Sequence, residues 1–143
     1  MSATLLRSAA TSAHPARRAS RSVIAGRILS GIAVAFLLFD AGFKFVVAPE
    51  AVEATAQLGW PVHLMPVLGT IELVLLALYL VPRTAPLGAV LWTAYFGGAI
   101  ATHLRIENPL FSHTLFPVYV AILVWGGLWL RDARVRDAIG PRR

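Results

Sequence analysis

Four stretches of this chain, about residues 24–47, 62–81, 86–104 and 114–130, are apolar along nearly their whole length. A helix rising 1.5 Å per residue needs ~20 such residues to cross a bilayer, and each run is close to that length. No other feature restricts the fold so much. In hydrocarbon a backbone has no water to bond, so each run must satisfy its own N–H and C=O groups as a helix. Composition agrees: the chain is 57% hydrophobic and 14% charged. A soluble domain of 143 residues would have to leave much of that apolar surface in water. The sequence therefore predicts an all-α protein, an integral membrane four-helix antiparallel bundle.

The connections divide the chain. Residues 1–23 are rich in Ala, Ser and Arg, carry no acid, and hold Arg7, Arg17, Arg18 and Arg21; this composition predicts a disordered basic tail. The first apolar run is too long for the core of a secretory signal. Residues 24–130 form the transmembrane domain, and 131–143 a second basic tail. Between the first two crossings, Pro49 and the early acids Glu50 and Glu53 favour a helix start, and Gly59 favours a stop. A short interfacial helix over 49–58 is expected, with Ala51, Val52 and Leu58 toward lipid and Glu50, Glu53 and Gln57 toward water. Trp60 would anchor it at headgroup level. The Pro82–Pro86 turn makes the second and third crossings antiparallel neighbours. Small residues at Ala94/Gly98 and Gly97/Ala101, with Gly31, Gly42, Gly126 and Gly127, suggest close helix approaches.

Charge placement sets the topology. Both tails and the 82–86 turn are basic, the 48–61 connection has no Lys or Arg, and the 105–113 connection has only Arg105. By the positive-inside rule both termini are cytoplasmic, in a multi-pass protein of a bacterial inner membrane. The net charge of +6 is gathered at the ends of the chain, so the expected partner is the lipid bilayer and not nucleic acid. The absence of cysteine excludes disulfide exchange, thiolate metal sites, iron–sulfur ligation and cysteine nucleophiles.

Four ionisable side chains interrupt the apolar runs: Asp40, Lys44, Glu72 and His103. Counted at 1.5 Å per residue, Asp40 and Glu72 lie about 12 and 15 Å inside the outer boundary. Lys44 and His103 lie nearer to it. Asp40 and Lys44 have the favoured i,i+4 order. A charge at the bilayer centre costs ~2.5–3.5 kcal/mol on insertion scales, so all four should turn toward the bundle interior or a wet cavity. Two readings stand side by side: an ion-pair network that locks helices together, or a proton or ligand site opening outward. Tyr95 and Tyr119 are candidates to line the same space. His63, His103, His113 and Glu107 share the outer side, but their spacing is irregular and no metal site is expected. Only His103 lies in a helix, so a two-histidine haem has no second ligand. Nucleotide-binding and hydrolase motifs are absent, and no motif marks the chain as an enzyme by itself.

Several short stretches, in order, carry a resemblance. They include Gly42-Phe43-Lys44-Phe45, Leu58-Gly59-Trp60-Pro61, Leu68-Gly69-Thr70-Ile71-Glu72-Leu73, Gly97-Gly98-Ala99-Ile100-Ala101-Thr102-His103 and Trp129-Leu130-Arg131-Asp132. From about Arg27 to Ile139 the chain resembles the DoxX-like family of small bacterial four-helix membrane proteins. Lys44 and Glu72 match the family's lysine after glycine in helix one and its glutamate in helix two, and no catalytic role comes with the match. In the wider DoxX group some relatives are membrane subunits of quinone-linked oxidoreductases, including thiosulfate:quinone enzymes, and others accompany oxidative-stress enzymes. The resemblance thus implies a membrane subunit or partner of such a redox system. A quinone would be its cofactor or substrate, and a soluble or membrane oxidoreductase its partner. The residues alone also admit a small transporter or proton-coupled permeation unit built on Asp40, Lys44, Glu72 and His103, or a structural or assembly module.

Overall fold

The computed structural model describes residues 20–140. The expectation for the N-terminal tail falls largely outside that range; of its last residues, 21–23 belong to the first helix. The elements are α1 (Arg21–Phe45), α2 (Pro49–Gln57), a 3-10 turn (Val62–Leu64), α3 (Met65–Leu80), α4 (Ala85–Arg105), a π-helical turn (Leu110–Thr114), α5 (Phe116–Arg131) and α6 (Ala133–Ile139). No strand occurs among the described residues. Four segments are long and apolar enough to cross a membrane: Arg21–Phe45, Val62–Leu80, Ala85–Arg105 and Leu110–Arg131. The fourth begins earlier than its apolar run suggests, because the π-helical turn leads into α5.

Proline sets the helix starts. Pro49, Pro66, Pro86 and Pro117 each occupy the first turn of α2, α3, α4 and α5, where a missing N–H costs nothing. The α3–α4 link is a tight turn whose Thr84 hydroxyl donates to the Leu78 carbonyl at 2.7 Å. At the opposite end of the bundle, Gly59 takes a φ of +74°, a left-handed conformation that favours glycine. A Cβ there would also meet the Arg105 guanidinium at 2.9 Å, and Arg105 donates to the Leu58 carbonyl at 2.6 Å. That bond ties the end of α2 to the end of α4.

The four crossings form a ring in which α1 packs between α5 and α3, and α4 closes the circuit against α3 and α5. Each presents one helical stripe inward. On α1 the stripe is Gly26, Ser30, Ala33, Leu37 and Ala41, spaced by three or four residues as a single helix face requires. The tightest seam joins α1 to α5. A Cβ on Gly127 would meet the Ser30 hydroxyl at 2.4 Å and the Ser30 nitrogen at 2.8 Å, and one on Gly26 would meet the Gly127 carbonyl at 2.8 Å. Above this contact the buried Tyr79 hydroxyl donates to the Val124 carbonyl at 2.8 Å and lies 3.0 Å from the Ser30 hydroxyl. One phenol therefore joins α1, α3 and α5.

The small residues expected to seat α4 do not do so. Gly97 and Gly98 have nothing within 4 Å of an added Cβ, and neither do Gly31 and Gly42. The inward stripe of α4 runs through Ala85, Gly88, Ala89, Trp92 and Phe96, so Gly97 and Gly98 lie off it. Small residues help packing only where a neighbouring backbone comes close, and that happens at Gly26, Gly69, Gly88 and Gly127. Large apolar residues such as Ile28, Phe39, Val90 and Ile122 point outward, as a lipid solvent allows.

The segment after Arg131, basic in sequence, folds into α6. Asp132 caps it by accepting from the Arg134 backbone N–H at 3.0 Å, Val135 is buried, and the Arg134 side chain donates to the Pro82 carbonyl at 2.7 Å.

Candidate functional site

The inward stripe of α1 ends in a charge. Counting on from Leu37 and Ala41, the next position of that face is Lys44. Gly69 of α3 brings the two helices together here: an added Cβ would lie 3.3 Å from the Ala41 carbonyl and 3.3 Å from the Lys44 Cβ. One turn later on the same face of α3 comes Glu72, which is 1% exposed. Lys44 Nζ lies 2.8 Å from Glu72 Oε1 and 2.5 Å from Asp40 Oδ2. The Tyr95 hydroxyl of α4 donates to the same Glu72 oxygen. Three crossings thus meet at one carboxylate. The burial that makes an isolated charge so costly in hydrocarbon is offset by an ammonium and a phenol.

Beside this cluster lies a cavity of about 450 Å³ between the four crossings, in the half of the bundle nearer α2. Its walls are mostly apolar and aromatic, with Phe36 from α1, Trp92, Tyr95 and Phe96 from α4, and Phe116 from the start of α5. Trp92 stacks on Phe96 with ring centroids 5.2 Å apart and meets Tyr95 edge-on at 5.5 Å. Asp40, Lys44 and Glu72 line the cavity too. Asp40 keeps 44% of its side chain exposed and Lys44 16%, so polarity runs from the accessible surface to the buried Glu72.

The short helix α2 covers one side of this space. Thr55 is buried and Leu58 lines the cavity, and both Ala51 and Val52 are half-buried. The expectation that Ala51, Val52 and Leu58 all face lipid is corrected for Leu58, which turns to the cavity. Glu50, Glu53 and Gln57 are exposed.

The other sequence candidates separate. His103 lines the cavity but makes no ion pair with the cluster; its Nδ1 lies 2.8 Å from the Asn108 amide. Its ring sits 6.1 Å from that of His113, whose own Nδ1 is 2.8 Å from the Ser112 hydroxyl. Tyr119 is 44% exposed and donates to the Phe111 carbonyl at 3.2 Å. It does not line the cavity, whose α5 wall is Phe116, Pro117 and Val120; its hydroxyl turns back to the Phe111 carbonyl instead. Sequence reasoning missed Trp92 and Thr55. Trp92 could have been found from its position three residues before Tyr95 and four before Phe96, which gives one face of α4 three aromatic rings. Thr55 gave no signal, because its burial depends on how α2 docks.

Two polar atoms of these lining residues have no partner. Glu72 Oε2 and Trp92 Nε1 are both buried and neither makes a hydrogen bond.

The sequence profile of the DoxX-like family matches residues 28–127, more than half of the chain and all four crossings at least in part. The chain belongs to the DoxX-like family. No curated protein and no solved structure matches it. Family and fold together make this DoxX-like chain a multi-pass membrane protein with its apolar outer surface in the bilayer. The matched range contains the whole cluster, Asp40, Lys44, Glu72 and Tyr95, together with Trp92 and His103.

Proposed function

We propose that this protein binds a small lipophilic molecule of the quinone class within the membrane, as the membrane subunit or partner of an oxidoreductase. The observation that carries the reading is the cavity beside the Lys44–Glu72 pair. Ligand sites are typically concave, apolar spaces of roughly 300–1,000 Å³ with a few polar groups that fix orientation, and about 450 Å³ walled by aromatic rings falls in that range. A flat conjugated ring suits Trp92, Phe96 and Phe36. Its oxygens suit the polar end, where the Lys44 ammonium has a third N–H beyond those that face Asp40 and Glu72. The lateral position between membrane-spanning helices suits a molecule that arrives through lipid. A quinone bound here would supply two-electron redox chemistry; with no cysteine in the chain, electrons would come from the partner.

The arginine distribution supports an orientation with both termini and the α3–α4 turn in the cytoplasm of a bacterial cell, and the cavity in the outer half of the inner membrane. The test is quenching of tryptophan fluorescence by a short-chain quinone in nanodiscs containing the full chain. Saturable quenching is expected. Gly98 lines the cavity and has open space around it, so Gly98→Leu should abolish quenching without lowering the melting temperature. Non-saturable quenching, equal in wild type and Gly98→Leu, would rule the reading out.

A second reading, proton-coupled permeation, is favoured by the polar thread from the half-exposed Asp40 through Lys44 to the buried Glu72. Proteoliposomes loaded with a pH-sensitive dye distinguish it. A proton leak that disappears in Glu72→Gln supports permeation, and tight vesicles support the binding subunit.

A further inference from the structure

The α3–α4 hairpin is tight at one end and open at the other. Near the turn, a Cβ on Gly88 would meet the Tyr79 nitrogen at 2.5 Å. Further along, the Tyr95 hydroxyl still reaches Glu72 across the pair. One turn beyond, a Cβ on Gly98 would meet nothing within 4 Å, so at that level α3 has moved away. Gly98 lies three residues after Tyr95, a spacing that keeps it on the flank of α4 that faces α3. The other flank belongs to α5, since Thr93 accepts from Trp125 Nε1 at 2.8 Å. The space left by the splay therefore lies between α3 and α4.

That space is a window into the cavity. Leu68 and Ile71 of α3 and Ala94 and Gly98 of α4 line the cavity, yet Ile71, Ala94 and Gly98 are also exposed on the outside of the bundle. A residue does both only at a rim. Gly98 and Ala94 stand about 10 and 17 Å from Arg105 along the helix axis, a depth at which the outside is acyl chain and not water. Elsewhere the rim is of another kind. Phe36 of α1 meets Phe116 of α5 edge-on at 5.3 Å, and Asp40 is charged and paired with Lys44. Toward the outer surface lie Trp60 and the bond from Arg105 to the Leu58 carbonyl.

Resting on the reading of the cavity as a quinone-class site, we infer that the α3–α4 window is the tail exit of that site, and that its ligand is a membrane-resident quinone with one long hydrocarbon chain. A cavity of about 450 Å³ holds a ring system of ordinary ligand size; a long chain attached to that ring has to leave it. The window lets the chain pass between Ile71 and Ala94 with its carbons still in lipid. Lipid is as apolar as the rim, so the chain loses no solvation on the way through. A closed wall would force the chain to coil inside the cavity or would keep the ligand out. The small side chains at 94 and 98, which seat no neighbouring helix, make the passage wide enough. Ala94 and Gly98 are thus specificity-determining residues: they admit the tail, while the polar end of the cavity receives the ring.

The experiment compares two quinones with the same dimethoxy-methyl ring, decylubiquinone and its tailless parent, by tryptophan quenching of the full chain in nanodiscs. Affinities are referred to the quinone concentration in the lipid, so that partitioning into the bilayer cancels. Wild type should bind the tailed quinone at least as tightly as the tailless one. Ala94→Phe and Ile71→Phe, one from each side of the window, should each weaken the tailed quinone relative to the tailless one by at least ~10-fold, which corresponds to about 1.4 kcal/mol. Val90→Phe, on the outward face of α4 away from the cavity, should keep the wild-type ratio. Exclusion of the tailed quinone from a wild type that binds the tailless one would overturn the inference while leaving the cavity a quinone-class site, and so would a ratio that neither rim variant changes. Binding of neither quinone would overturn the functional reading and this inference with it. If one rim variant fails to fold, the other rim variant and the wild-type ratio decide.

Discussion

Lys44 Nζ and Glu72 Oε1 stand 2.8 Å apart, an ion pair between the first and second crossings with its acid almost wholly buried. Asp40 shares the same ammonium. Among the described residues the lysine is the one cation that pairs with both acids, and it is the only lysine in the chain.

Removing that cation should be costly. Lys44→Met leaves Glu72 with Tyr95 alone, and breaking a buried pair from one side costs ~3–5 kcal/mol. The triple variant Lys44→Met, Asp40→Asn, Glu72→Gln removes the charges together and should recover most of the loss. Thermal melts in detergent check both. A single variant that melts with wild type would show that the pair carries no stability.

Glycine substitutions should separate real helix contacts from sequence patterns. Gly127→Leu drives a side chain into Ser30 across the α1–α5 seam and should destabilise by ~1–3 kcal/mol, the usual range for overpacking. Gly97→Ala meets nothing within 4 Å and should be neutral or stabilise by ~0.5–1 kcal/mol, through the lower backbone entropy of alanine. Denaturation of the purified variants in mixed micelles tests the contrast.

The attachment of α6 should be sensitive to acid. The Arg134 side chain hydrogen-bonds Asp132 and holds its carboxyl below the usual carboxylate range. A group whose pKa is depressed by folding stabilises fully above its unfolded value, ~3.9 for Asp, and loses that effect as pH falls through the lower folded value. α6 should therefore stay docked at pH 5 and loosen only well below pH 4. Asp132→Ala should loosen it at every pH, by ~0.5–2 kcal/mol for a lost cap. Hydrogen exchange of the 133–139 amides reads both effects.

The proposed orientation predicts opposite signals from two reporter fusions. A fusion after Arg143 should report the cytoplasm, and one inserted within 105–113 the other side. Both on one side would contradict the topology.

The crossings were legible in sequence because hydrocarbon leaves a backbone so few options: run length, proline starts and the 82–86 turn fix most of the architecture. The Asp40–Lys44–Glu72 cluster was legible for a related reason, since charges at that depth must find each other. Which faces meet was not. Gly97 and Gly127 read alike in sequence, and only the rotation of α4 and α5 about their axes separates them. Tyr119 and Tyr95 differ in the same way. The docking of α2 was hidden as well: its apolar side fits lipid and a cavity mouth equally by composition, and the cavity exists only after four helices have closed around it.

That closure has an order in time. Ser30 and Gly127 form the tightest seam, yet nearly a hundred residues of synthesis separate them. The α3–α4 hairpin finds its partner within a few residues and α1 has α3 to pack against, while the α1–α5 seam waits for the last crossing to emerge. The walls of the cavity come from α1, α3, α4 and α5, so the chamber is the final thing the chain makes. A nascent or truncated protein lacks the α5 wall, so the chamber exists only once the last crossing is in place.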